Sequence, residues 1–204
     1  MKGVHIIKME ELLTRYPALS ECKEDISAAL GLIIDTYKNK KKILVCGNGG
    51  SAADSEHIVG ELMKGFMKKR SVNDERIPKR LRDNLQGALP AISLPSQTAV
   101  LSAFINDVAP DMMYAQLVYG YADEGDLVIG ISTSGNSQNI VNAIETANAV
   151  GANTLSLTGS RESILSKISA ITIRVPETET YKVQEYHLPV YHYLCAEAEK
   201  YFFE

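Results

Sequence analysis

From Lys42 to Val175 the chain alternates short, largely apolar runs with longer amphipathic stretches, and few architectures accept that pattern. Ile43-Leu44-Val45-Cys46 is the first run, closed by Gly47-Asn48-Gly49-Gly50. A strand with one wet face alternates apolar and polar residues, whereas a strand apolar at every position is buried on both sides. Four more strand candidates follow: Leu89 to Leu94, Asp126 to Ile131, Asn153 to Thr158 and Ile171 to Val175. Helical stretches separate them, at Ser51 to about Lys69, Ser96 to about Asn106 and Ser137 to Val150, with a short one after Gly159. A long helix from Tyr181 to Phe203 closes the series. The order predicts an α/β class with a doubly wound, five-stranded parallel sheet and right-handed crossovers.

An N-terminal helical arm precedes the sheet. Pro17 separates a segment from Ile6 to Tyr16 from a longer one in which Ile26, Leu30, Ile33, Ile34 and Tyr37 recur at helical spacing. The arm packs on its own sheet or on a second copy of the chain. Residues 1–204 read as one domain, with helices over 1–40 and the α/β core over 41–204.

At 204 residues the chain can bury a full core without disulfides or structural metal. Its 45% hydrophobic and 23% charged residues exclude disordered, collagenous and coiled-coil classes. A net charge of −4 gives no general surface for polyanions, so nucleic acid is not an expected partner. The apolar runs are too short to span a bilayer, and the opening MKGVHIIKMEELLTRY does not read as a signal peptide. Cys22, Cys46 and Cys195 lack metal-ligand spacing and read as reduced thiols of a cytoplasmic protein.

Ligands of open parallel sheets sit beyond the carboxyl ends of the strands. Two such ends stand out here, Cys46-Gly-Asn-Gly-Gly-Ser51 and Ser132-Thr-Ser-Gly-Asn-Ser137. Glycine lets the backbone approach a ligand, and the helix that follows offers free N–H groups and a positive dipole end. Together the loops form a cradle of N–H and O–H donors for a phosphate; alone, either serves equally well as a turn and helix cap. The lysine-containing nucleotide loop and the spaced-glycine dinucleotide fingerprint are both missing, so no nucleotide cofactor is expected.

His57 and Glu61 share one helix face at a spacing of four. The last helix carries Gln184, Glu185, His187 and His192, and at about 100° per residue His187 points well away from His192. Pro189 makes a kink plausible there. Singly, each histidine reads as a packed or surface residue; as two pairs they are halves of a metal or acid–base site. The basic stretch from Met67 to Gly87, with Lys68, Lys69, Arg70, Arg76, Lys79, Arg80 and Arg82, is either a solvated loop or a flap over an anionic ligand.

CGNGGSAAD, HIVGE, ISTSGNS, LTG, IRVP and VQEYH together resemble the sugar isomerase (SIS) domain, and within it the phosphoheptose isomerases, from about Lys8 to Glu204. The resemblance implies an enediol-forming aldose–ketose isomerase that interconverts sedoheptulose 7-phosphate and D-glycero-D-manno-heptose 7-phosphate. It implies Glu61 and His192 as catalytic residues. The phosphate cradle would be Ser51, Ser132, Thr133, Ser134 and Ser137 with Asn48 beside it, and Asn106, Asp107 and Gln184 would also meet the substrate. Zinc, where such enzymes hold it, would lie on His57, Glu61, Gln184 and His192, and the assembly would be a homotetramer. Three positions depart from the family pattern. Gly65 stands where an arginine is usual, Tyr181 where an aspartate is usual, and the stretch 67–87 is long. These departures keep two other readings open: an isomerase of another sugar phosphate, and a non-catalytic SIS protein that binds a sugar phosphate or a replication initiator.

Overall fold

The computed structural model describes residues 8–203. Five parallel strands form one sheet: β1 (Ile43–Gly47), β2 (Ala91–Ser93), β3 (Leu127–Ile131), β4 (Asn153–Thr158) and β5 (Ile171–Arg174). Their spatial order is β2-β1-β3-β4-β5. In register, Val45 lies between Ser93 and Ile129, and Leu155 lies between Ile129 and Ile171. The expected five-stranded, doubly wound α/β class is therefore the observed one.

The period of two along each strand builds two cores, one on either face. Ile43, Val45, Leu127, Ile129 and Leu155 point to one side. There they meet α1 (Met9–Arg15), α2 (Lys23–Lys38), α3 (Gly50–Met63) and α9 (Thr180–Phe203) through Leu12, Ile26, Ile33, Ile58, Val183 and Leu194. Leu44, Cys46 and Val128 point to the other. They pack on α6 (Met113–Tyr121), α7 (Gln138–Ala149) and α8 (Ile164–Ile168) through Leu117, Ile140, Ile144 and Leu165. Two further helices, α4 (Lys79–Arg82) and α5 (Thr98–Asp107), have no buried residue.

The N-terminal helices thus pack on their own sheet and on α9. The expected start at Ile6 lies outside the described residues. Helix α9 runs unbroken through Pro189. Helix α6 has no counterpart in the sequence reading, because Tyr114, Val118, Tyr119 and Tyr121 blur the helical period with strand-favouring residues.

Helix α3 stops at Met63 instead of continuing to Lys69, and Lys64 is extended. The cause is Arg70, which is 1% exposed. Its guanidinium donates to the carbonyls of Glu61 at 2.9 Å and Leu62 at 2.6 Å, the groups a longer helix would have used. Its Nε donates to Glu199 of α9 at 2.8 Å, and Glu199 also accepts from the Phe66 and Met67 amides at 2.7 Å each. The ring of Phe203 lies 4.8 Å from the guanidinium carbon. Within the basic stretch, then, Arg70 is a buried anchor and not a solvated charge. Arg76 pairs with Asp74 and Lys79 with Asp83. A polar cavity of about 470 Å³ lined by Lys69, Ser71, Glu75, Arg82 and Asp83 carries both signs of charge.

Breaking a buried ion pair leaves an uncompensated charge, at a cost of about 3–5 kcal/mol. Arg70→Met should lose stability of that order in urea unfolding, and Arg70→Met with Glu199→Gln should recover part of it. A double variant no more stable than the single one would contradict this account. His187 generates a second expectation. It is fully buried, with Nε2 3.3 Å from the Thr158 carbonyl, and burial lowers its pKa to about 4. The unfolded chain therefore binds this proton first as pH falls, so stability should drop between about pH 6.5 and 4, by about 3 kcal/mol. His187→Gln should flatten that part of the stability profile relative to the parent protein.

Candidate active site

Reversal of chain direction across the sheet occurs between β1 and β3, the switch point at which such sheets bind ligands. Both glycine- and serine-rich loops leave the sheet there. Gly49 has φ +56° and Gly135 φ +67°, values that residues with a Cβ rarely adopt. The first loop delivers the N-terminus of α3 with Ser51 buried inside its first turn. The second ends at Ser137, just before α7. Ser132 lies 3.0 Å from the Ser137 hydroxyl and 3.5 Å from that of Ser134. Asn48 and Asn139 exchange two amide hydrogen bonds of 2.9 Å and tie the loops together. Asn139 was not among the expected site residues, although a polar side chain in the first turn of a helix facing the other loop was its visible sign. A cavity of about 160 Å³ opens beside Thr133 and Ser134, with Arg161 and Glu177 on its far wall.

Helices α3 and α9 run side by side, and their pairing decides which residues meet. Gln184 packs on Gly50, where a Cβ would come within 2.6 Å of its side-chain nitrogen. Two turns further on, His57 faces Tyr191 and His192. His57 Nε2 is 3.2 Å from Glu61 Oε1 and 3.4 Å from His192 Nε2. Lys64 lies 3.4 Å from the other Glu61 oxygen. Glu61 is 13% exposed and His57 41%, so the centre opens to solvent from the histidine side. Beside His192 a cavity of about 240 Å³ is bounded by Glu11, Arg15 and Tyr16 of the N-terminal arm.

Burial, and then the neighbouring His57, lowers the pKa of His192, while Glu61 opposes the shift. His192 therefore sits at the centre as a neutral imidazole near pH 7, able to accept or donate a proton. Burial raises the Asp54 carboxyl above its ordinary value, partly offset by a hydrogen bond from Tyr191 and by His57. As the helical phasing predicts, His187 faces β4 and takes no part.

Two imidazoles and a carboxylate are donors that zinc accepts, and 3.2 and 3.4 Å are near the edge of about 3.3 Å of a tetrahedral zinc site. Glu61 and His192 each contact His57, and among the described residues no three His, Cys, Asp or Glu side chains close around one point. Gln184 is two turns, about 12 Å, up the helix from His192. Asn106 and Asp107 bond to each other at 2.8 Å on exposed α5, and no hydrogen bond ties either to this centre. At Gly65, where the family pattern has arginine, a Cβ would fall 2.2 Å from the Lys68 carbonyl, so this backbone path accepts no side chain. Asp54 and Tyr191 were also missed. Their sign was positional, since Asp54 is one turn before His57 and Tyr191 adjoins His192.

SIS-domain families match residues 8–82 and 98–193. A phosphoheptose isomerase of Nitratiruptor sp. is 37% identical over 194 residues, 94% of this chain and 95% of its own. That of Helicobacter pylori is 35% identical over 185 residues, covering 91% and 88%. Among solved structures, the phosphoheptose isomerase from Neisseria gonorrhoeae aligns with a TM-score of 0.77 at 28% identity over 94% of each chain. The one from Francisella tularensis aligns with a TM-score of 0.74 at 25% identity, covering 96% of this chain and all of that one. With its paired loops at the switch point and its Glu61, His57 and His192 centre, this chain belongs to the SIS-domain family, in the branch of the phosphoheptose isomerases.

Proposed function

We infer that the protein is an aldose–ketose isomerase that interconverts sedoheptulose 7-phosphate and D-glycero-D-manno-heptose 7-phosphate. The observation that carries this reading is the meeting of Glu61 and His192 at His57, from helices far apart in sequence. Starting from the ketose, Glu61 takes a proton from C1 while the C1=C2 double bond forms and the C2 oxygen is protonated, giving an enediol. His192, which gives its proton to the C2 oxygen in that first step, then takes the proton of the C1 hydroxyl as the C1 carbonyl forms, and Glu61 returns its proton to C2. The phosphate rests on Ser51 and the Ser132–Ser137 loop, where helix N-termini and hydroxyls favour an anion. Asn48 stands beside the phosphate, and Asn106, Asp107 and Gln184 serve the sugar.

On this reading Glu61→Gln and His192→Ala each lower kcat by about a hundredfold or more, with KM for sedoheptulose 7-phosphate changed only a few-fold. His187→Ala, away from the centre, keeps most of the activity. Full turnover in Glu61→Gln would remove the mechanism.

We further propose that zinc binds at His57, Glu61 and His192, the three of the four expected ligands that meet in this chain, and that the working form is a cytoplasmic homotetramer. When bound, the metal supplies Lewis-acid polarisation of the substrate oxygens. Support for the assembly comes from α5 and its surroundings, where Val100, Ile105 and Val108 are 44%, 43% and 67% exposed. A second copy on that face would also give exposed Asn106 and Asp107 a site to join. Three free, buried thiols suit a reducing compartment. Among the described residues no helix is long and apolar enough to cross a membrane. Native mass spectrometry reads both properties at once. The expected species is four chains with one zinc each; His57→Ala should lose the metal and Ile105→Asp the assembly. A metal-free monomer of the parent protein would overturn both.

A further inference from the structure

Tyr191 is 2% exposed, and its hydroxyl stands 3.1 Å from Asp54 Oδ1 and 3.1 Å from His57 Nδ1. A phenol has one proton to give, and a carboxylate only accepts. The proton goes to Asp54, the charged acceptor. For the second contact to be a hydrogen bond, His57 Nδ1 must carry the hydrogen and donate to the tyrosine oxygen. A neutral imidazole has a single N–H, so Nε2 is then bare. That bare nitrogen is the atom that faces Glu61 Oε1 at 3.2 Å and His192 Nε2 at 3.4 Å.

We infer that Tyr191, anchored by Asp54, is a positioning residue that holds His57 in its Nδ1–H form and so turns the Nε2 lone pair toward Glu61 and His192. The inference rests on the reading of Glu61 as the base. With the opposite tautomer, His57 Nε2–H would donate to Glu61 Oε1 and make that carboxylate a weaker base. With the tautomer that Tyr191 selects, the Glu61 and His57 lone pairs face each other across 3.2 Å. Such a gap favours a positive charge between them, namely the proton that Glu61 acquires or a divalent cation. The Tyr191 ring also packs edge-on against His192 at 5.1 Å between centroids, but its hydroxyl meets only Asp54 and His57, so the hydrogen-bond effect that Tyr191→Phe removes passes through the His57 ring.

The tautomer is directly observable. In metal-free protein labelled with 15N-histidine at pH 8, long-range proton–nitrogen correlation spectra separate the two forms, and His57→Gln identifies the His57 signals. The parent protein is expected to show Nδ1–H at His57. Tyr191→Phe removes the selection and should give a mixture. Asp54→Ala should reverse it, because the tyrosine hydroxyl is then free to donate to Nδ1 and leaves the hydrogen on Nε2. Alongside the spectra, Tyr191→Phe should lower kcat about tenfold with KM within about twofold, and weaken zinc binding in a metal titration by about ten- to a hundredfold. An Nε2–H form in the parent protein, or an unchanged tautomer in both variants, would overturn the inference, and the parent spectrum decides even where a variant fails to fold. Loss of the isomerase reading would show instead as full turnover in Glu61→Gln, with the His57 spectrum unaffected.

Discussion

The buried pair of Arg70 and Glu199 holds together the parts on which the site depends. Its guanidinium ends α3 by taking the carbonyls of Glu61 and Leu62, and its carboxylate partner belongs to α9. One ion pair therefore fixes where the Glu61 helix stops and how the His192 helix lies beside it. Two backbone amides on Glu199 and the Phe203 ring on Arg70 complete the environment, so neither charge is left bare in a low-dielectric interior. Without this clasp the Glu61 and Leu62 carbonyls would lose their guanidinium donors, and Glu61 would sit on a fraying end.

At the other end of the same two helices the constraint is electrostatic. The switch point of the β2-β1-β3-β4-β5 sheet sends two helix N-termini into one crevice, and the Asn48–Asn139 amide pair keeps them at a fixed separation. Positive dipole ends, glycines and hydroxyls make that crevice receptive to a phosphate without a lysine. The cluster of His57, Glu61 and His192 lies further along α3 and α9. The loop crevice and the histidine–carboxylate cluster thus occupy successive stretches of the same helix pair, with Gln184 at one end and His192 two turns on.

Within the centre, His57 is the hub. It meets Glu61 and His192 through one nitrogen and Tyr191 through the other, and Asp54 closes the network behind it. Such a network matters where proton positions decide the chemistry, because each hydrogen-bond direction restricts the next. The neutral His192 and the partly exposed His57 leave room for a substrate or cation without dismantling the packing of Tyr191.

Much of this was legible in the chain itself. Short, largely apolar strands alternating with helices set the parallel sheet, and the glycine–serine loops marked the two strand ends that meet at its switch point, because both signals are local in sequence. Helical phasing likewise separated His187 from His192 on one element. What the sequence left open lies between elements. The early end of α3 follows from an arginine bonding to carbonyls eight and nine residues behind it and to a carboxylate 129 residues ahead. The separation of Gln184 from His57, and the union of Asp54, Tyr191 and His57, follow from the parallel lie of α3 and α9. No residue pattern within either helix specifies how two helices slide against each other; packing and one buried ion pair decide that offset, and with it which side chains become a site.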